Sequence, residues 1–280
     1  MVFQIILIFL SQMVPFPDIS STAFTVFGID IQWYGIAYAT GLLLGLANAK
    51  LLIRRSQTIK SKIFDDLILW IAIGTIIGGR LGYVFFYEFH YYMNNPVLII
   101  LDIRKGGMSF HGGLLGIILS TLLFCKKRNI SFLKCMDIIA CCAPIGIFLG
   151  RISNFINSEL WGKITYLPWG VVFPNGGDEP RHPSQIYEAV FEGMLLFLIL
   201  NYFYKKKYFL DGYCASLFLV FYGFFRIFIE FFRVPDDHLG YLYENFLTTG
   251  MLLTIPMIVI GFFIFFLVND KYRNNSKKNY

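Results

Sequence analysis

Apolar blocks long enough to cross a bilayer, separated by short basic connections, constrain this chain more than any other feature. Seven run roughly 31–53, 67–88, 110–125, 135–157, 185–204, 212–233 and 246–268. A spanning helix needs about 17–25 apolar residues, and a backbone in hydrocarbon must satisfy its own polar groups, as a helix does. The expectation is an all-α integral membrane protein of about seven transmembrane helices. Only 15% of the residues are charged, where a soluble domain is nearer one-quarter. The third block is short and depends on starting at His111. Residues 1–30 read as an N-terminal interfacial segment, 31–268 as the membrane domain, and 269–280 as a basic cytoplasmic tail. The opening MVFQIILIFL has no basic residue ahead of it and no small-x-small cleavage site, which argues against a signal peptide.

Alternate connections differ in charge. One set holds Lys50, Arg54, Arg55, Lys60, Lys62, Lys126, Lys127, Arg128, Lys134, Lys205, Lys206, Lys207, Lys271, Arg273, Lys277 and Lys278. The other holds Arg104, Lys105, Lys163, Arg181 and Arg233. The positive-inside rule then places the N-terminus outside and the C-terminus in the cytoplasm. The net charge of +6 is spent on topology, so no nucleic-acid partner is implied. The five cysteines, Cys125, Cys135, Cys141, Cys142 and Cys214, lie in or beside apolar blocks. They read as small hydrophobic residues, with no disulfide framework and no metal-ligand spacing.

Three arginines fall inside the helices: Arg80, Arg151 and Arg226. A cation at the bilayer centre costs about 2.5–3.5 kcal/mol on insertion scales. Each could simply pair with a carboxylate or reach the interface. Yet with this orientation all three lie toward the outer ends of their helices. His111, Tyr34 and Glu188 share that depth. One outward-facing polar cavity explains the common depth; independent structural pairs would not require it. Tyr222, Arg226, Glu230 and Arg233 fall on one face of the sixth helix, so Glu230 can pair with either arginine. Arg151, Asn154 and Ser158 share a face if the fourth helix continues that far. Glu159 is the natural partner for Arg151, and Gly162 lets the backbone turn. SFHGG puts His111 at a helix start with two glycines whose N–H groups suit an anion; glycine packing between helices is the plain alternative. The apolar run within 95–107 is too short to span and reads as a connector lying in the interface.

Arginines with Asn, Tyr and Gly nearby recognise phosphate, because a guanidinium donates two parallel hydrogen bonds. The residues alone therefore suggest a membrane enzyme acting on a phospholipid, or a non-enzymatic phospholipid transporter or flippase. A transporter needs a polar path to the cytoplasmic side, and the inner halves of these helices are apolar.

GRISNFINSELWG (Gly150 to Gly162) resembles the signature of the prolipoprotein diacylglyceryl transferase family. So do WYG (Trp33 to Gly35), GGRLGYVFFY (Gly78 to Tyr87), GGMSFHGG (Gly106 to Gly113), RHPSQIYE (Arg181 to Glu188) and YGFFRIFIEFFRVPD (Tyr222 to Asp236). The resemblance implies transfer of the diacylglyceryl group of phosphatidylglycerol to the lipobox cysteine of a prolipoprotein signal peptide, with release of glycerol phosphate. This is the first step of bacterial lipoprotein maturation. It implies a multi-pass protein of the bacterial inner membrane, active at the outer face among membrane lipids, with no cofactor and no metal. The catalytic set it suggests is His111, Arg151, Arg226, Glu159 and Glu230. Tyr34, Arg80, Asn154, Gly162, Tyr222, Gln185 and Glu188 form the substrate-binding set.

Overall fold

The computed structural model describes residues 14–56, 59–102, 107–234, 241–243 and 247–278. Residues 1–13 of the expected interfacial segment, 103–106 of the expected interface connector, and the side chain of His111 lie outside the described residues.

The chain forms two compact units, one of Met1–Asn48 with Ile139–Tyr280 and one of Ala49–Ile138. In the first, β1 (Val14–Pro15) pairs in parallel with β4 (Val171–Val172), and β2 (Thr22–Val26) pairs antiparallel with β3 (Ile29–Gln32). The hairpin turns on Phe27 and Gly28, both at positive φ (50° and 77°), the backbone that suits the twist of a two-residue connection. β3 runs straight into α1 (Trp33–Ser56). α6 (Phe132–Ile156) follows later in the chain, and a Cβ on Gly41 of α1 would lie 3.2 Å from Gly146 Cα of α6. α7 (Ser184–Lys207) is α-helical over Ser184–Glu188, π-helical over Ala189–Leu195 and α-helical again from Leu196. α8 (Tyr213–Glu230) packs along α9 (Thr249–Lys278), with the short pair β5 (Tyr241–Tyr243) and β6 (Leu247–Thr248) between them in sequence. α9 stays helical through the stretch expected to be a tail.

The second unit is built on α2 (Ser61–Phe86) and α5 (Phe110–Arg128), with the short helices α3 (Phe89–Asn94) and α4 (Leu98–Leu101) between them. Gly74, Gly78 and Gly82 on α2 face Gly112 and Gly116 on α5. A Cβ on Gly78 would sit 2.3 Å from Gly112 O, and one on Gly116 would sit 1.9 Å from Gly74 O. Glycines four apart let two helices touch backbone to backbone, the packing lipid-embedded helices favour. The glycines of SFHGG are therefore packing residues. Their N–H groups are not offered to an anion: Gly112 N donates to Ser109 Oγ at 3.2 Å and Gly113 N to Ser109 O at 2.9 Å.

Among the described residues, six helices are long and apolar enough to cross a membrane: Trp33–Ser56, Lys62–Phe86, Phe132–Ile156, Ser184–Lys207, Tyr213–Glu230 and Gly250–Asn274. Leu43, Ile77, Leu119 and Phe263 stand exposed on helix surfaces, a pattern suited to lipid rather than water. The third expected span exists as α5 but is not among the six. Its Gly-Gly start and Lys126-Lys127-Arg128 end leave a short apolar middle.

Candidate active site

α6 ends at Ile156 instead of continuing to Ser158. Ser158 and Leu160 both take positive φ (53° and 57°), a left-handed conformation that costs a non-glycine residue about 1–2 kcal/mol. The first turn of α7 holds this strained link. Ser184 Oγ donates to Leu160 O at 3.0 Å, and Gln185 Nε2 donates to Glu159 O at 2.6 Å. Gln185 is thus a backbone clamp. The link turns the Glu159 side chain toward α1. There the Tyr34 hydroxyl donates to Glu159 Oε1, Asn154 Nδ2 donates to the Tyr34 oxygen, and Asn154 Nδ2 also reaches Glu159 Oε1 at 2.9 Å. Tyr34, Asn154 and Glu159 form one hydrogen-bonded triad. The expected Arg151–Glu159 pairing is not made.

Arg151 turns instead to α7. Its Nε meets Glu188 Oε2 at 2.6 Å and its Nη2 meets Glu192 Oε2 at 3.5 Å. The physical reason is register. Gly193 lies against Phe148, where a Cβ would come within 2.6 Å of the Phe148 Cβ. That close approach brings Glu188 and Glu192, four residues apart, against the turn of α6 that carries Arg151. Arg226 Nη1 also faces Glu188 Oε1 at 3.5 Å, while its Nη2 meets Glu230 Oε2 at 3.0 Å. Arg233 Nε approaches Glu188 Oε1 at 3.8 Å. Three guanidinium groups converge on one carboxylate that is fully buried. Glu230 also accepts from Thr248 Oγ1 at 2.7 Å, and Thr248 Oγ1 in turn accepts from Met251 N at the start of α9. Tyr222, one turn before Arg226, lies in the electrostatic reach of Arg151, Arg226, Glu188 and Glu192.

α8 ends at Glu230, so Arg233 is delivered by a loop and not by the helical face. Gly162 makes an antiparallel bridge with Arg233. Gly162 N donates to His182 O and Lys163 N to Phe232 O, both at 2.8 Å. A Cβ on Gly162 would lie 2.5 Å from Phe232 O and 2.7 Å from His182 Cβ. Gly162 is needed because two backbones close on it; the expected turn is not its role. The His182 ring, outside the helices, has its pKa lowered by burial and then by nearby Lys163. Its Nδ1 lies 3.1 Å from the Tyr187 hydroxyl, which accepts from Trp169 Nε1 at 2.7 Å.

Arg80 has a different employment from the one expected of it. It is buried in the second unit, where Nε donates to Ile99 O at 2.7 Å, Nη1 to Gly107 O, and Nη2 to Leu98 O and the Tyr92 hydroxyl. It fastens α3, α4 and the approach to α5, and its guanidinium is occupied by that task. His111 opens α5 of the same unit.

The residue that sequence reasoning missed is Glu192. Its signal was available: a second carboxylate four residues after Glu188 in an apolar span, where an ionisable group is expensive without partners.

The triad of Tyr34, Asn154 and Glu159, and all of the ion cluster except Glu192, fall on the stretches carrying the sequence signatures. A family model for prolipoprotein diacylglyceryl transferase matches residues 21–267. The chain belongs to the prolipoprotein diacylglyceryl transferase family. A relative from Pseudomonas entomophila, named a phosphatidylglycerol–prolipoprotein diacylglyceryl transferase, is 45% identical over 267 residues, covering 92% of this chain and 97% of the relative. Relatives with the same name from Allorhizobium ampelinum and Rhizobium meliloti are each 43% identical. They cover 90% and 88% of this chain and 91% of their own lengths. The matched range of the diacylglyceryl transferase family takes in residues of both units and every residue of the cluster.

Proposed function

We propose that this chain transfers the diacylglyceryl group of phosphatidylglycerol to the lipobox cysteine thiol of a prolipoprotein, at the outer face of a bacterial inner membrane. The observation that carries this reading is the convergence of Arg151, Arg226 and Arg233 on buried Glu188. Guanidinium groups stay charged in any environment and bind phosphate oxygens in pairs. Held by buried carboxylates, they are in place before the anionic headgroup arrives.

In the reaction the cysteine sulfur bonds to the glyceryl carbon that carries the phosphate. The C–O bond breaks, its electron pair stays on the phosphate oxygen, and glycerol phosphate departs. A thiol with a pKa near 8.5 is mostly protonated at neutral pH. His111 takes the thiol proton. Arg151 and Arg226 bind the phosphate and stabilise the charge that grows on it. Glu230 orients Arg226, and Glu188 orients both. The triad of Tyr34, Asn154 and Glu159 holds α1 against α6 and presents hydroxyl and amide groups to the headgroup. Lipid and signal peptide are the two substrates.

The chain spans the membrane seven times in this reading, α5 included, with the N-terminus outside and the C-terminus in the cytoplasm. α5 has 19 residues, about 28 Å of helix, close to the roughly 30 Å of hydrocarbon.

The test is release of glycerol phosphate, with formation of a thioether, from purified protein, phosphatidylglycerol vesicles and a lipobox peptide. Arg226→Lys keeps the charge but loses the planar fork, and turnover should fall roughly 100-fold. Near-normal turnover in a folded Lys variant would end the phosphate clamp. His111→Gln should also lose most of the activity; a Gln variant that keeps it would assign the thiol proton to another group. A lipid transporter would release no glycerol phosphate at all.

A further inference from the structure

We propose that Glu192 is a positioning residue that occupies the open edge of Arg151 in the empty site and yields it to the lipid phosphate. The inference rests on the phosphatidylglycerol reading above and assigns the arginine that first receives the headgroup.

The three cluster arginines are not equally committed. Arg226 has carboxylates on both terminal nitrogens, and its side chain is 11% exposed. Arg233 is 7% exposed. Arg151 is 20% exposed, and its one tight ion pair, 2.6 Å to Glu188, is made through Nε. Among the described residues, its terminal nitrogens carry only the loose 3.5 Å approach of Glu192. Arg151 is therefore anchored by one edge and presents the other. That other edge is the one a phosphodiester binds with two parallel N–H donors.

The three carboxylates are unequal as well. Glu188 faces all three arginines, and Glu230 is fixed by Arg226 and by the Thr248 hydroxyl. Glu192 is fully buried; like Glu188 it has no hydrogen-bond partner among the described residues, but where Glu188 has three ion pairs Glu192 has only the 3.5 Å approach to Arg151. It sits in the π-helical stretch Ala189–Leu195, an irregularity that often marks functional sites. Formally the cluster is neutral, three arginines against three glutamates. An incoming phosphodiester adds a negative charge, so one carboxylate has to give way. Glu192 is the one with least to lose.

Removing the Glu192 charge should then strengthen anion binding while disturbing turnover. In vesicles of phosphatidylethanolamine with a rising fraction of phosphatidylglycerol, Glu192→Gln should lower the apparent KM for phosphatidylglycerol roughly three- to tenfold. Added glycerol phosphate should inhibit more strongly by a similar factor, and kcat should fall because product leaves slowly. Glu192→Asp keeps the charge but withdraws it from Nη2, so KM should move the same way by less. Thermal stabilisation of each purified variant by phosphatidylglycerol reports binding even where turnover is lost. Its midpoint should shift to a lower lipid fraction. A KM or midpoint that is unchanged or raised in whichever variant is obtained folded would overturn the proposal, since a merely structural carboxylate weakens binding when removed. Failure of the wild-type chain to transfer, with lipid stabilisation still sharpened in the Gln variant, would instead strike the transferase reading alone.

Discussion

Tyr34 shows how one hydroxyl can be committed on both sides. It donates to Glu159 and accepts from Asn154, so the carboxylate, the amide and the phenol share their polar capacity. Tyr34→Phe removes the middle member. Glu159, half-buried, keeps Asn154 but loses its donor from α1, and a lost hydrogen bond costs about 0.5–1.5 kcal/mol. The expected outcome is a lower unfolding temperature in detergent together with loss of most transfer activity. Full activity in the Phe variant would mean that the triad is scaffolding remote from the headgroup. The identities in the triad were legible in sequence, because Tyr, Asn and Glu in apolar spans need partners. The pairing was not. Arg151 and Glu159 are eight positions apart and of opposite charge, which invites a local pair. The left-handed link at Ser158 and Leu160 points Glu159 away, and no glycine in that link announces it.

Elements, not single side chains, deliver the ion cluster. Most helical spans were legible to within a few residues, because length and apolarity are local properties, although α2 starts at Ser61 where 67 was expected and α9 runs on to Lys278 where 268 was expected. What ends and joins the helices was not. β4 and the bridges at Gly162, Ile164 and Arg181 depend on partners up to about 160 residues away in the chain, and such pairings leave no local periodicity. The SFHGG glycines illustrate the same point, since their packing partner lies on another helix. Gly162 is where these non-local contacts meet the site. It bridges to Arg233, and its own carbonyl accepts from Arg181 Nη1 at 3.4 Å. Gly162→Ala would drive a methyl into Phe232 O and into His182. Backbone atoms on both sides leave no flexible neighbour to give way, and overpacking of this kind costs about 1–3 kcal/mol. We expect Arg233 to be displaced and transfer activity lost, while the helices remain folded by circular dichroism. An Ala variant with unchanged turnover would show that the bridge does not set the arginine.

For the whole molecule, α5 decides the topology. Six crossings would put both termini on one side; seven put them on opposite sides. If α5 crosses, the connection between α6 and α7 lies outside, while the clusters around Lys126 and Lys205 and the C-terminal basic residues lie together in the cytoplasm. If it does not, the charges from Lys50 to Lys62 fall on the opposite face from the clusters around Lys126, around Lys205 and at the C-terminus, against the usual bias of cytoplasmic loops. Ser20, exposed before α1, and Asn129, exposed at the end of α5, separate the two cases: they lie on opposite sides if α5 crosses and on the same side if it does not. The native cysteines at 125, 135, 141 and 214 are buried and Cys142 is half-buried within α6, so single added cysteines are readable against a parent chain carrying Cys142→Ser. A membrane-impermeant maleimide applied to cells with a permeabilised outer envelope should label Ser20→Cys. Asn129→Cys should react only after the inner membrane is opened. Labelling of both positions from outside would leave α5 uncrossed and move the connection between α6 and α7 to the cytosolic side, where a secreted lipobox cysteine does not arrive.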